Sequence, residues 1–322
     1  MKAILVFIDG TICDGRQRYH LADTPDFYQP QVMLADQAVP GSVQALQTLA
    51  TRYQPVYIGA RPEYTLPVTE QWLREAGFPA GEIVVAEDQK QRLELVRELR
   101  HRYDFIAGIG DRWDDNELHA ELGCQSIILQ EHAGDFPAAV ERIEKYHRES
   151  KIRLNEIHLH GKVEGLARIC PLFLAEFGEQ HWEGFFKAVI AQAADTREAR
   201  RKEELESFAR YQLNPEDLRD VARWIDLTWE DEWEDNPAFG LQEFETVEVS
   251  ERRYVFKVTR CRYAELWNEQ GHPEIGYQIH CHTDQVWWDK PTWNPQVRFE
   301  QTKTLMQGDD YCLFIQHLPE NH

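Results

Sequence analysis

The chain has 322 residues, 42% of them hydrophobic and 11% aromatic, enough apolar material for two packed domains. Its net charge of −21, with both halves acidic, argues against nucleic acid as a partner; no apolar run approaches the ~20 residues of a membrane span, so no membrane partner is expected and a cytoplasmic location is. The six cysteines (Cys13, Cys124, Cys170, Cys261, Cys281, Cys312) are scattered without a Cys-x-x-Cys pair, which argues against a disulfide framework and against a zinc ribbon.

Residues 1–148 alternate short apolar stretches (Ile4–Ile8, Val56–Ile58, Ile83–Val85, Ile106–Ile109, Ser126–Leu129) with helical ones such as Gln91–His101 and Asp114–Leu122. That rhythm predicts a doubly wound parallel α/β domain, with its functional groups at the strand ends. A polar stretch around Glu141–Ser150 reads as the join to a second domain, residues 149–322. There, apolar residues recur at helical spacing over about 165–235, as in Phe173, Phe177, Trp182, Phe185 and Phe186 and again from Leu218 to Ile225. Thr246–Val249, Tyr254–Thr259, Gly276–His280, Val297–Thr302 and Cys312–His317 then read as strands within about 240–318, giving an α+β domain with N-terminal helices and an antiparallel sheet. His158 and His160 have strand spacing and would share one face, while the acidic run Glu230–Asp235 reads as a solvated helix end. Gly308 is placed in a tight turn between two strands.

The first strand ends in Asp9-Gly10-Thr11. Together with Val56-Tyr57-Ile58-Gly59-Ala60-Arg61-Pro62 and Phe105-Ile106-Ala107-Gly108-Ile109-Gly110-Asp111-Arg112-Trp113-Asp114-Asp115, it resembles the haloacid dehalogenase-like phosphatases. The resemblance implies a nucleophilic aspartate two residues before Asp9, where Phe7 stands, and a phosphate-binding Thr or Ser where Gly59 stands; Lys90 falls about where a phosphate-steadying lysine would. Phe7 cannot attack phosphorus, so the expectation is a domain without phosphatase activity; a magnesium-dependent phosphatase with an unusual nucleophile is the less favoured reading. Asp9, Asp111 and Asp115 are either ligands for Mg2+, which takes carboxylate and water oxygens, or carboxylates kept for structure.

The second half carries Phe256-Lys257-Val258-Thr259-Arg260-Cys261-Arg262-Tyr263-Ala264-Glu265, then Pro273-Glu274-Ile275-Gly276-Tyr277, Cys281-His282-Thr283-Asp284 and Gly308-Asp309-Asp310-Tyr311-Cys312-Leu313-Phe314. These runs look like the L-2-amino-thiazoline-4-carboxylic acid hydrolase family and, more distantly, the 4-vinyl-reductase-type binding domains. The resemblance covers roughly residues 165–317 and implies hydrolytic opening of a cyclic C–N amidine bond in a small heterocyclic amino acid. It also adds Cys261, Glu274 and Cys312 to the candidate site.

On the residues themselves, a thiol attacks an electron-poor carbon once a base or cation lowers its pKa from about 8.5. His280 and His282 flank Cys281, but on a strand both would face away from it. Asp284, three residues on, suits a helical turn that returns its carboxylate to the thiol, so Cys281 with Asp284 is the preferred pair. The attacking group is a thiolate, Cys281 before Cys261, or an activated water, with Asp284 or Glu274 moving the proton. Three converging cysteines would alternatively hold zinc, or each is simply a buried small hydrophobe. Arg260, Arg262 and Arg298 are candidates for a substrate carboxylate. Trp287 and Trp288, within a tryptophan-rich stretch from Trp224 to Trp293, are candidates for an aromatic wall. The partners left open are a small-molecule substrate and a second copy of the chain in a homodimer. A module that binds a small molecule, metal or tetrapyrrole without turnover, fused to an inactive phosphatase-like domain, is the alternative from another class.

Overall fold

The computed structural model describes residues 1–291 and 293–319, which divide into two compact units, Met1–Glu149 and Ser150–His322. In the first unit the strands β1 (Lys2–Phe7), β4 (Gln54–Gly59), β5 (Glu82–Val85), β6 (Asp104–Gly110) and β7 (Gln125–Ile128) form a five-stranded sheet in the order β5-β4-β1-β6-β7. Every pairing in it is parallel. Between β1 and β4 lie a two-residue pair, β2 (Cys13–Asp14) with β3 (Gln37–Ala38), and the short helices α1 (Pro30–Met33) and α2 (Ser42–Leu49). The crossovers that follow are α3 (Leu66–Ala76), α4 (Gln89–Leu99) and α5 (Trp113–Leu122). As the central strand, β1 is covered on both faces, which is why it is continuously apolar. Its alternate residues feed opposite cores: Ile4, Val6 and then Ile8 join Leu46, Tyr57 and Ile109, whereas Ala3, Leu5 and Phe7 join Val96, Leu99 and Leu118.

In the second unit helical structure precedes the sheet, as the part of α6 (Phe136–Phe177) from Ser150 on, α7 (Glu179–Arg210) and α8 (Leu218–Asp231). The strands β8 (Gln242–Val249), β9 (Arg253–Cys261), β10 (Arg298–Lys303) and β11 (Cys312–His317) form an antiparallel sheet in the order β10-β11-β9-β8. Between β9 and β10 run α9 (Arg262–Glu269), α10 (Pro273–Gly276), a π-helical turn (Tyr277–Cys281) and α11 (His282–Trp288). Leu159, Val163, Ala167 and Cys170 of α6 pack with Val221, Tyr254, Phe256, Trp267, Phe299 and Phe314 in one core. Gly308, at φ +93°, closes the turn between β10 and β11 in the left-handed conformation that glycine adopts without strain.

Three expectations are corrected. Helical structure starts well before about residue 165, since the stretch Glu141–Ser150, in which the unit boundary falls, is itself part of α6; from Ala138 to His160 no glycine or proline interrupts it, and Lys145 pairs with Glu149 at 4.0 Å one turn on. His158 and His160 therefore lie about 200° apart around a helix rather than on one face, and His160 faces Glu164 at 3.8 Å. The third concerns Gly276–His280, which is helical rather than a strand. Pro273 starts the run with its fixed φ, and Gly276 lets the backbone lie against the Trp267 indole, where a Cβ would come within 2.4 Å of its Cγ.

Candidate active site

Cys261, Cys281 and Cys312 arrive at one place from three elements. Cys261 ends β9 and sits at the start of α9, where backbone groups of Tyr263 and Ala264 bond its sulfur and the Gln242 amide lies 3.9 Å away. Cys281 closes the π turn with its sulfur 4.0 Å from the Thr304 hydroxyl. Cys312 opens β11 and accepts the N–H of Leu305 at 3.3 Å, so the Thr304–Leu305 segment stands between two of the thiols. Asp284 lies in α11, one turn beyond Cys281, and its charge acts on all three thiols and on the hydroxyls of Tyr263 and Tyr277.

Burial is the dominant influence throughout this cluster. It pushes the Cys281 thiol far above its ordinary range, with Asp284 and the other two sulfurs adding to the rise and the Thr304 hydroxyl opposing it. Cys312 is pushed up to about 12 and Cys261 also upward, each by burial first. Burial also raises Asp284 to about 7, against the pull of the Gln301 amide. At neutral pH the thiols therefore carry their protons, while Asp284 stands where a group gains and loses one readily. Neither flanking histidine is among the leading causes of the Cys281 shift. The His280 ring is buried against Tyr263 at 4.9 Å and is held neutral, its pKa down at about 3, whereas His282 is exposed and bonds Gln278 at 3.0 Å.

The remaining predicted residues have other partners. Glu274 is exposed, 3.6 Å from His272, on the wall of an open groove of about 770 Å3 shared with Trp182, Phe186, Gln278 and His282. Arg260 pairs with Glu265 at 3.0 Å and Glu243 at 3.5 Å, and Arg262 with Glu265 at 2.8 Å. Arg298 donates to the carbonyls of Pro295, Gln296 and Val297, each at 3.1 Å. Trp287 lies beneath Arg200 at 6.0 Å, Trp288 stands edge-on to Phe256 at 6.0 Å, and Trp233 and Trp267 are core residues, so the tryptophans serve packing more than a wall around the thiols. Tyr263, Gln301 and Thr304, which complete the surroundings of Asp284 and Cys281, carry no signal in the sequence that sets them apart.

The strand-end site of the first unit is filled by arginine. Asp9 receives Arg61 at 2.8 Å, with Arg18 at 3.6 Å, and Arg61 also reaches Thr69 at 3.1 Å and Cys13 at 3.3 Å. Burial pushes the Asp9 carboxyl up, but Arg61, Arg18 and the Ala60 N–H outweigh it and hold Asp9 below the usual carboxylate range. Phe7 points into the core, its ring 5.6 Å from that of His119. Asp111 accepts the Thr11 hydroxyl and is raised by burial to about 6; Asp115, raised by burial to about 7, accepts the N–H groups of Asp111 and Arg112 at 2.9 Å and so caps α5. Lys90 is exposed on α4.

Among the described residues no three His, Cys, Asp or Glu side chains gather as a metal-holding group. Asp9, Asp111 and Asp115 do not fit Mg2+, because the first is neutralised by guanidinium and the last is spent on a helix cap. The three thiols likewise form no such group among the described residues.

Residues 166–315 match the family model for L-2-amino-thiazoline-4-carboxylic acid hydrolase, and Cys261, Cys281, Asp284 and Cys312 all fall within the match. It supports a hydrolase-type activity in the C-terminal part of the chain. No curated protein matches the chain significantly. Among solved structures, the class C acid phosphatase from Bacillus anthracis is similar at 21% identity over 46% of this chain and 78% of that one, with a TM-score of 0.33. A haloacid dehalogenase-like family hydrolase from Streptococcus pneumoniae is similar at 15% identity over 44% of this chain and 90% of that one, with a TM-score of 0.32. The first unit's five-stranded parallel sheet is by itself consistent with a haloacid dehalogenase-like α/β fold. No helix among the described residues is long and apolar enough to cross a membrane.

Proposed function

We propose that the second unit is a hydrolase that opens the C–N bond of a small cyclic amidine of the L-2-amino-thiazoline-4-carboxylate kind, with Cys281 as nucleophile and Asp284 as proton carrier. One observation carries this reading: the Asp284 carboxyl, raised by burial to about 7, acts on three thiols that converge from separate elements inside the family-matched segment. Cys281 Sγ attacks the amidine carbon as its proton passes to Asp284. Asp284 gives that proton to the ring nitrogen as C=N becomes a single bond. The C–N bond then breaks as the exocyclic amino group turns into an imine and supplies the second proton with which the ring nitrogen departs as an amine. Water, deprotonated by Asp284, then attacks the same carbon and releases Cys281 as a thiol, so each turnover consumes one water. A thiol with so high a pKa is no resting nucleophile, and deprotonation has to accompany attack, which makes the neighbouring base indispensable. The first unit, lacking a nucleophile and with Asp9 held by arginines, plays no part in this chemistry and is a pseudo-phosphatase domain.

The test is mass spectrometry of L-2-amino-thiazoline-4-carboxylate incubated with the wild type, Cys281→Ala and Asp284→Asn, each shown by circular dichroism to be folded. Ring-opened product from the wild type, reduced about a hundredfold or more in both variants, is expected. Full activity in Cys281→Ala with loss in Asp284→Asn would replace the thiol by water as nucleophile. No turnover by folded wild type would overturn the substrate assignment.

A further inference from the structure

Helix α6 has an apolar face and, opposite it, a second face where four large aliphatic side chains stand with His158 and Arg168 among them. One face, with Leu159, Val163, Ala167 and Cys170, is buried in the core of the second unit. On the other, Leu154, Ile157, Ile169 and Leu172 are 47%, 61%, 63% and 70% exposed, and at Gly161 and Gly165 between them an added Cβ would meet nothing within 4 Å. At about 100° per residue these six positions fall in one stripe diametrically opposite Val163. A line of large aliphatic side chains left in water along a helix marks an interaction surface more often than a free one.

The stripe reads the same from either end. Leu154 and Leu172 lie nine residues on either side of Val163, Ile157 and Ile169 six, and Gly161 and Gly165 two. A face symmetric about its own midpoint is complementary to a copy of itself running antiparallel, which is the isologous contact of a two-fold dimer. Glycines at the crossing point let two helix axes approach to about 8 Å. Charge agrees with that direction. Lys151 and Glu176 project on the same flank of the stripe, twelve residues before and thirteen after its centre, so antiparallel copies set each lysine beside the other copy's glutamate.

We propose that the chain forms a homodimer in which α6 packs antiparallel on α6 of a second copy along Leu154–Leu172. A stripe about 27 Å long and about 11 Å wide buries roughly 300 Å2 on each copy, about 600 Å2 in total and below the usual size of a stable interface, so the dimer is weak and concentration-dependent.

Sedimentation velocity of the full chain from about 1 to 300 µM tests this. The wild type is expected to move from the 37.9 kDa monomer towards twice that mass over the range. Replacing both exposed isoleucines, Ile157→Glu with Ile169→Glu, is expected to raise the dissociation constant about a hundredfold without lowering the melting temperature. Lys151→Glu is expected to weaken association about threefold or more, and adding Glu176→Lys to restore it. A wild type that stays monomeric throughout, or a dimer indifferent to the isoleucine substitutions, overturns the interface. A charge reversal that the second substitution fails to restore overturns the antiparallel register.

Discussion

Replacing Asp284 by asparagine should stabilise the second unit at alkaline pH and leave it nearly unchanged in acid. The Asp284 carboxyl sits at about 7 against an ordinary value of 3.8, a gap of about three pH units. At ~1.4 kcal/mol per pH unit, holding the ionised form in this setting costs up to about 4 kcal/mol. Part of the residue's surface still meets solvent, so about 2 kcal/mol is the working figure. Because the folded pKa is the higher one, the folded chain binds more protons than the unfolded chain between about pH 4 and 7. The stability this represents is complete below pH 4, is lost as pH rises to about 7, and stays lost above. Asparagine, which does not titrate, removes that slope. Urea unfolding of wild type and Asp284→Asn between pH 4 and 8.5, followed by tryptophan fluorescence, measures the difference, and eight of the ten tryptophans lie in the second unit. A gap between the two proteins that opens from pH 5 to 8 in favour of asparagine is expected. A constant gap, or a variant less stable at pH 8, would refute the high carboxyl pKa and with it the proton-carrying role. The same group predicts a kcat/KM profile with an apparent pKa near 7 in the wild type.

The other predictions concern the supports of the two sites. Arg61→Ala leaves Asp9 with Arg18 alone and should cost the first unit about 2–3 kcal/mol in urea unfolding at pH 7. Since Asp9 is held below its ordinary value, that stabilisation exists above about pH 4, and the deficit should shrink as pH falls further. Gly276→Ala drives a methyl group into the Trp267 indole and should cost about 2–3 kcal/mol and reduce turnover, because the same turn delivers Cys281; unchanged stability would mean that the turn relaxes freely. Thiol counting with a disulfide reagent at pH 7.5 should show Cys261, Cys281 and Cys312 unreactive on the minute timescale in the native protein and fully reactive in denaturant. Rapid native labelling of Cys281 would show a thiolate that the buried cluster does not favour.

The five sheet strands of the first unit, with α4 and α5, were legible because each needs only local pattern. A central parallel strand reads as an unbroken apolar run, and Ile4–Ile8 overlaps β1 from Ile4 to Phe7. The carboxyl-end position of Asp9 followed, but its pairing did not. Arg61 was in view as part of the second motif, yet its burial over Asp9 depends on how β4 sits beside β1, which spacing along the chain does not encode. The same divide runs through the second unit. The Cys281–Asp284 spacing is local and pointed to a helical turn, and α11 supplies one. Gly276–His280 read as a strand because Ile279 and the aromatic Tyr277 suit either conformation, and what settles the matter is Trp267 lying against a glycine nine residues later. Cys261 and Cys312 stand together with Cys281 because β11 pairs with β9, setting Cys312 opposite Val258, and because the segment from Thr304 lies between two of the thiols. Whether those thiols react was beyond any motif. Burial sets that, and in this fold it keeps the resting thiols protonated while bringing the one carboxyl among them to about 7.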